Sequence, residues 1–214
     1  MLLIGCKKHN DESSSFLSSF QGVINNVPIS FAETNSHHAG WAVTSSQILN
    51  NPDSTYFDFE ASLWQYYKSD SIYQNSIFIA FIYHIPNDSL YFTNTHPCFY
   101  EHTFRQLFRI GDFEYTYESF SKSGIIVTWY DDKGLQWVSG KIQGENNGFP
   151  PTHPDYSHNN FKIVYSKPVV PVYGFTTWGQ EVHMTFGCWV YNYYGDSLHI
   201  ENAKFNVNYY YKNL

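Results

Sequence analysis

The alternation of apolar and polar residues with a period of two constrains the fold of this chain more than any other feature of its sequence. It is clearest in residues 57–63, where apolar residues at the odd positions alternate with Asp58, Glu60 and Ser62. Successive side chains of a β-strand point to opposite faces, so the pattern indicates a strand with one buried face and one polar face. Residues 113–118 show the same alternation and predict a further strand of this kind.

Turn residues between apolar runs predict three antiparallel hairpins. Asn25 and Asn26 separate two short apolar runs within residues 20–31, and both residues tolerate a positive φ angle. A polar turn that ends at Gly134 lies between two further apolar runs, and Gly134 is the expected left-handed residue. A third turn, at 192–196, divides the long apolar region at the C-terminus.

One segment is expected to be helical. Pro97 occupies a suitable first position for a helix, because proline has no N–H group to leave unsatisfied there. Phe104 and Phe108 recur at helical spacing, and Gly111 follows as a stop. The sequence therefore predicts one short helix near 97–108.

The composition agrees with a sheet-rich fold. Aromatic residues make up 20% of the chain, as 19 Tyr, 18 Phe and 6 Trp, whereas charged residues make up only 14%. Aromatic residues fit pleated, half-buried surfaces, while solvent-facing helices usually carry many charges. Residues 77–85 are almost continuously apolar, which suits a strand covered on both faces. We predict an all-β fold, an antiparallel two-sheet β-sandwich with a closed barrel as the alternative, and one short helix.

The N-terminal residues predict a lipid anchor followed by a tether. The sequence Leu-Ile-Gly-Cys at 3–6 resembles a bacterial lipobox, and the resemblance implies cleavage before Cys6 and a diacylglycerol group on its sulfur. The polar residues at 7–15 are typical of a flexible linker. We predict that residues 1–19 are a signal remnant and tether, and that residues 20–214 form a single β-rich domain.

Three segments of the chain occur together in one known group of proteins. They are residues 20–28 with their Asn-Asn turn, residues 129–142, and residues 195–205. These segments resemble the small lipoproteins of Bacteroidota that carry a β-rich domain of unknown function, although Asn26 and Ala203 replace glycines usual in that group. The resemblance implies a β-rich extracytoplasmic domain on an outer-membrane anchor, and it supplies no catalytic residues.

The charge pattern narrows the choice of partners. The net charge is −7 with histidines neutral, and the 12 Lys and Arg residues are scattered. No basic stripe could follow a phosphate backbone, so we expect no nucleic-acid partner. The chain has no run of 18 apolar residues, so the sequence predicts no membrane-spanning helix. The expected location is the outer membrane, with a lipid-anchored domain in the periplasm or on the cell surface. The expected partners are the membrane, through the anchor, and a glycan or an envelope protein.

The residues that could carry chemistry form no recognised catalytic motif. Cys98 and Cys188 could form a disulfide or remain buried thiols. On a helix, Cys98, Glu101 and His102 would share one face, but structural zinc sites need four such ligands. The chain has no Gly-x-Ser-x-Gly elbow, no His-Glu-x-x-His and no phosphate loop. We therefore predict no metal site, no cofactor and no catalytic residues.

The aromatic residues are the best candidates for a binding site. Adjacent rings such as Tyr66-Tyr67 and Tyr193-Tyr194 cannot both point into a core, because neighbours on a strand face opposite ways. Core packing accounts for most of the rings, and those left outside would suit a glycan or a protein partner. The candidate ligand-binding aromatics are Trp41, Trp64, Tyr66, Phe149, Tyr156 and Trp178.

These observations leave three functional hypotheses. The leading one is a non-enzymatic, envelope-anchored lipoprotein that binds or scaffolds. The second is a glycan-binding module that assists polysaccharide uptake, which tryptophans lining a groove would favour. The third is a hydrolase whose site the sequence hides, which a concave polar cleft with a carboxylate pair would favour.

Overall fold

The computed structural model describes residues 17–34, 38–48, 51–66, 73–93, 96–117, 122–140, 156–169 and 178–211. The described strands are β1 (Ser19–Ile24), β2 (Val27–Ala32), β3 (His38–Ile48), β4 (Asn51–Tyr66), β5 (Tyr73–Pro86), β6 (Leu90–Thr93), β7 (His96–Phe99), β8 (Gly111–Asp112), β9 (Gly124–Tyr130), β10 (Gln136–Val138), β11 (Asn160–Val169), β12 (Trp178–Tyr191) and β13 (Ser197–Tyr211). An α-helix, α1 (Glu101–Leu107), and a 3₁₀ turn (Asn87–Ser89) complete the described elements.

An 11-stranded sheet with antiparallel strands forms most of the structure, in the order β2-β1-β13-β12-β10-β9-β5-β4-β3. Strand β11 pairs with the same edge of β12 as β10 does. Strand β8 pairs with the other edge of β11. Strands β6 and β7 form a second, two-stranded sheet. The large sheet curls, so that Phe31 of β2 and Trp129 of β9 bring their ring centroids to 6.2 Å across its concave side. The predicted all-β class with one short helix is confirmed.

The three predicted hairpins are also confirmed. Asn25 and Asn26 join β1 to β2 with φ angles of 50° and 67°, which matches the positive φ that the sequence led us to expect. Gly134 has a φ of 76° in the turn between β9 and β10. The turn at 192–196 joins β12 to β13.

The concave side of the large sheet is filled by an aromatic core. The apolar residues of the alternating segment 57–63 are all buried there, as are alternate residues of β13 up to Tyr211. Phe81 lies near the centre of this core. Its ring centroid is 5.4–5.6 Å from those of Phe108, Phe113, Phe161 and Tyr209. The sequence period of two therefore becomes one face of packed rings.

Residues 90–108, which we call the cap, cover one end of this core. The rings of Phe99, Phe104 and Phe108 are fully buried against the large sheet. Tyr83 donates a hydrogen bond from its hydroxyl to the Leu107 carbonyl at the end of α1. The Phe99 N–H donates to the hydroxyl of Tyr211 at 3.3 Å. Buried polar groups of the core are thus satisfied by the cap, which links the two sheets.

The predicted start of the helix at Pro97 is wrong. Pro97 lies in β7 opposite Phe92, and α1 begins at Glu101. The buried side chains of Cys98 and Phe99 explain the difference, because the ladder between β6 and β7 carries them into the core. Proline is tolerated in this strand because each strand of a two-stranded sheet has a free edge that needs no N–H donor.

The strand predicted at 113–118 is also wrong over its described residues. The chain between 112 and 116 crosses from β11 to β9, with Phe113 N–H donating to the Phe161 carbonyl at 2.9 Å and Thr116 N–H donating to the Ile125 carbonyl at 3.1 Å. Such a crossing segment cannot form a continuous ladder with either strand. Tyr115 is buried in this crossing, and its hydroxyl donates to the Asn160 carbonyl at 3.3 Å. The adjacent Thr116 is buried as well, so burial does not follow the alternation of the sequence here.

Strand direction places three turns at the end of the large sheet opposite the cap, which we call the turn end. Strands β5 and β13 both run toward the cap, where Pro86 and Tyr211 end them. Their antiparallel neighbours β1, β4, β9 and β12 therefore run toward the turn end. The turns after β1, β9 and β12 meet there, and Asn25 N–H donates to the His199 carbonyl at 3.0 Å.

Candidate functional site

The turn between β12 and β13 is held by the side chain of Asn192. Its Oδ1 accepts hydrogen bonds from the N–H groups of Tyr194 and Asp196, each at 2.9 Å. Its Nδ2 donates to Asp196 Oδ2, also at 2.9 Å. Asn192 is only 1% exposed, so these bonds form away from water. Gly195 takes a φ of 86°, which glycine adopts at little cost. The side chain and the glycine together fix the backbone of the turn.

This turn presents two exposed tyrosines to solvent. Tyr193 is 69% exposed and Tyr194 is 76% exposed, more than any other large apolar residue in the described ranges. Their ring centroids are 5.7 Å apart and their planes meet at 78°. A tyrosine offers a flat apolar body with a polar tip and has few rotatable bonds to order. On a fixed backbone, the pair is therefore suited to binding a partner.

A second aromatic group lies behind the tyrosines on the outer face of the sheet. The rings of Trp189 and His199, on paired strands, stack with centroids 4.6 Å apart and planes at 14°. Nδ1 of His199 donates to Oε1 of Glu201 at 2.9 Å. When the imidazole carries a single proton, on Nδ1, its Nε2 is a hydrogen-bond acceptor. The group combines a half-buried indole with a carboxylate and an oriented imidazole.

The turn between β9 and β10 adds polar groups to the same end. Oδ1 of Asp131 accepts from the N–H groups of Lys133 and Leu135, each at 2.9 Å. Oδ2 of Asp131 accepts from Nε1 of Trp137 at 3.2 Å. The neighbouring Asp132 and Lys133 are exposed. The turn is thus as well fixed as the tyrosine turn, and it places both signs of charge at the turn end.

The sequence-predicted aromatics are not brought together by the described structure. Trp64 lies at the turn end, where its ring is 5.0 Å from that of His38. Trp178 lies at the cap end and stacks on Tyr211 at 5.7 Å and 8°. Tyr156 stacks on the buried Tyr115 and donates its hydroxyl to the Ser139 carbonyl at 2.7 Å. Only the first of these three lies at the same end of the large sheet as the exposed tyrosines.

The other three predicted aromatics cannot be placed as side chains. Trp41 lies in β3 opposite Ala61, and Tyr66 is the last residue of β4, but their side chains fall outside the described part of the structure. Phe149 lies wholly outside the described residues, as does Cys6.

Sequence reasoning noted the pair Tyr193-Tyr194 as adjacent rings but missed its importance. The useful signal was the local sequence Asn192-Tyr-Tyr-Gly195-Asp196, because Asn and Asp bond to nearby backbone N–H groups and Gly accepts positive φ. That signal predicts a tight turn, and a tight turn at the end of two long strands exposes the residues at its tip.

A row of polar residues lies on the outer face of β4, on the side opposite the aromatic core. Oδ1 of Asp58 and Oγ of Ser54 are both buried without a hydrogen-bond partner in the described structure. Burial, reinforced by the neighbouring charge of Glu60, raises the pKa of Asp58 to about 7. A carboxyl with such a shifted pKa marks either a functional group or a cost in stability.

The cysteines and potential metal ligands remain separate. Cys98 and Cys188 are both buried thiols that form no disulfide. Burial raises the pKa of Cys188 to about 12, against the lowering effect of a hydrogen bond from Tyr115, so it stays a thiol at neutral pH. Because Cys98 lies in β7, it does not share a helical face with Glu101 and His102. The described residues contain no group of three or more potential metal ligands.

Two further findings bear on this chain. Within the ranges described above, no helix has the length and hydropathy needed to cross a bilayer. Comparison with known proteins finds no family, no curated protein and no solved structure that matches the chain.

Proposed function

We propose that this chain is a non-enzymatic binding protein of the cell envelope, and that it holds its partner at the turn end. The observation that carries the proposal is the pair Tyr193 and Tyr194, exposed on a turn that Asn192 fixes. Exposed rings cost free energy in water unless a partner covers them. A chain that retains two on a rigid turn is built to present them.

A second candidate function is glycan binding, with the glycan as the ligand of the turn end. Sugars have flat apolar faces edged by hydroxyl groups, so their binding sites combine aromatic rings with carboxylates, amides and imidazoles. The turn end has that combination in the tyrosine pair, in the exposed Asp196 and in the Trp189–His199–Glu201 group. In this form the protein would assist polysaccharide capture at the envelope.

Removing both exposed rings is expected to weaken ligand binding by roughly tenfold or more, because each anchoring aromatic contributes more than about 1 kcal/mol. The double variant Tyr193→Ala/Tyr194→Ala would be compared with wild type on a glycan array, followed by calorimetric titration of any polysaccharide that binds. The matched control is Tyr100→Ala, which removes a ring that is 46% exposed at the cap. Equal loss in the control and the double variant would contradict the proposal.

A protein partner would be distinguished by photo-crosslinking. A photoreactive residue at position 193 should capture a defined envelope protein if the partner is a protein, whereas one at position 100 should not. Polysaccharide binding that depends on the tyrosine pair would favour the glycan instead. A wild-type protein that gave neither result would overturn the assignment of the turn end.

The lipid anchor is the other half of the proposal, and it rests on the lipobox-like residues ending at Cys6. Full-length protein expressed in a bacterial host should enter the detergent-rich phase of a Triton X-114 separation. Cys6→Ala should move it to the aqueous phase, because acyl chains contribute about 0.8 kcal/mol per buried CH₂ group. Ser14→Ala, in the polar segment that follows Cys6, serves as the control. Persistence of Cys6→Ala in the detergent phase would refute lipidation at this residue.

A further inference from the structure

Strand β2 forms one edge of the large sheet, and its free side is open within the described structure. It pairs with β1 and has no second neighbour in the strand order. An edge strand presents backbone N–H and C=O groups that can pair with another strand. The side of β2 that carries these groups follows from its pairing with β1.

The hydrogen-bond pattern of the β1–β2 hairpin identifies the outward groups. In an antiparallel pair, residues alternate between those that exchange hydrogen bonds and those whose N–H and C=O point away. Glu33 N–H donates to the Ser18 carbonyl at 2.8 Å, so this pair is bonded. The register is continuous from Ala32 back to Val27. The N–H and C=O groups of Ser30 and Ala32 therefore point away from β1, as does the Pro28 carbonyl.

The side chains of this edge do not prevent pairing. Strand β2 reads Val-Pro-Ile-Ser-Phe-Ala and contains no charged residue, whereas natural edge strands are commonly protected by lysines or other charges. Pro28 is its only protective feature. Pro28 and Ser30 also border a shallow pocket of about 300 Å³ that they share with residues of β1.

We propose that β2 pairs with β2 of a second copy of this chain, antiparallel and centred on Ser30. In this register the backbone N–H of Ser30 in each copy donates to the Ser30 carbonyl of the other. The backbone N–H of Ala32 in each copy likewise donates to the Pro28 carbonyl of the other. Proline thus acts only as an acceptor, and its missing N–H leaves only the Ala32 carbonyls without a donor. The two sheets become one continuous sheet across the two-fold axis.

The side chains on the inner face support a second copy as the occupant. In the same register, Ile29 of each copy lies opposite Phe31 of the other. Both are partly buried at the margin of the aromatic core, where Phe31 packs on Phe20 with centroids 5.3 Å apart. The pairing therefore extends the apolar row of one core toward that of the other. A strand that is self-complementary in both backbone groups and side chains selects its own copy.

The expected dimer is weak, because a single six-residue strand buries less surface than a standard interface. We expect a dissociation constant on the order of 10–100 μM. Sedimentation velocity of wild type from ~5 to ~300 μM should then show a reversible monomer–dimer equilibrium. A wild type that remains monomeric throughout this range would overturn the proposal.

Variants at the two-fold axis test the register. Ser30→Pro removes the central donor without breaking a bond inside the chain, since that N–H points away from β1. Ser30→Lys brings like charges face to face at the axis and provides a second test should the proline variant fold poorly. Ser30→Thr keeps the donor and is the matched control. At least tenfold weaker association is expected for the first two variants and unchanged association for the third. Association that all three variants retain would place the dimer contact elsewhere and refute the proposal.

Discussion

Replacing Phe81 by alanine is expected to lower the free energy of unfolding by about 3–5 kcal/mol, the largest loss of stability that we predict for a single substitution. The ring is completely buried in β5 and contacts rings from the cap, from β11 and from β13. Removing it leaves a cavity between elements that are far apart in sequence. The surrounding rings are held by hydrogen bonds, such as that from the Tyr209 hydroxyl to the Ile79 carbonyl, so they can collapse only partly.

Urea denaturation followed by circular dichroism would measure this loss. Phe92→Ala is the matched control, since it deletes the same ring at a position in β6 that is 45% exposed. Its effect should be within about 0.5 kcal/mol of zero. A loss below about 1 kcal/mol for Phe81→Ala would mean that the concave core is not packed around this ring.

Replacing Asp58 by asparagine is expected to stabilise the protein at neutral and alkaline pH and to have little effect at low pH. Burial, reinforced by Glu60, raises the pKa of Asp58 from 3.8 to about 7 in the folded state. Between these values the folded state binds a proton that the unfolded state has released. The part of the wild-type stability that depends on this proton is therefore fully present below about pH 4. It is lost as the pH rises through about 7. A shift of this size corresponds to a loss on the order of 4 kcal/mol.

The control for this experiment is an exposed carboxyl on the same strand. Asp53→Asn changes such a group at the start of β4 and should leave the pH profile unaltered. The other titratable groups near Asp58 are Glu60, two residues along the strand, and His84 of β5, which contacts the ring of Tyr56. The unfolding free energies of wild type, Asp58→Asn and Asp53→Asn would be compared from pH 4 to pH 9. Parallel curves for wild type and Asp58→Asn would show that Asp58 does not titrate in this range.

The Asp58 result also bears on the hydrolase hypothesis. Asp58 and Glu60 are a carboxylate pair in which one member has a raised pKa, a property shared with acid–base pairs in enzymes. A catalytic role predicts that the asparagine variant loses an activity, whereas a structural role predicts only the gain in stability. The buried Ser54 and Asp58 oxygens without hydrogen-bond partners fit a cost in stability equally well.

Local chemistry was enough to predict the strands and turns that interact mainly with their neighbours. The alternation at 57–63 became a strand with one buried face because side-chain direction follows directly from position along a strand. Asn25, Asn26 and Gly134 formed turns because few residues accept positive φ. These outcomes depend on a few adjacent residues, so the sequence alone determines them.

Tertiary contacts decided the segments where two local preferences compete. Pro97 is as acceptable at the first turn of a helix as in an edge strand, and the burial of Cys98 and Phe99 selected the strand. The alternation at 113–118 was a sound strand signal, yet hydrogen bonds to β9 and β11 turned the chain across both strands. Such choices depend on which distant surfaces are available, and no local pattern records them.

The candidate site shows the same division. Sequence alone determined that adjacent tyrosines on strands or turns cannot all be buried, which is a consequence of strand geometry. It could not determine that Tyr193 and Tyr194 are the exposed pair while Trp178 packs against Tyr211 and Phe104, because exposure depends on the curl of the sheet and on the end that the cap covers. The pairing order of the strands sets that curl through contacts between residues far apart in the chain. Only the tertiary structure therefore decided where the aromatic surface lies.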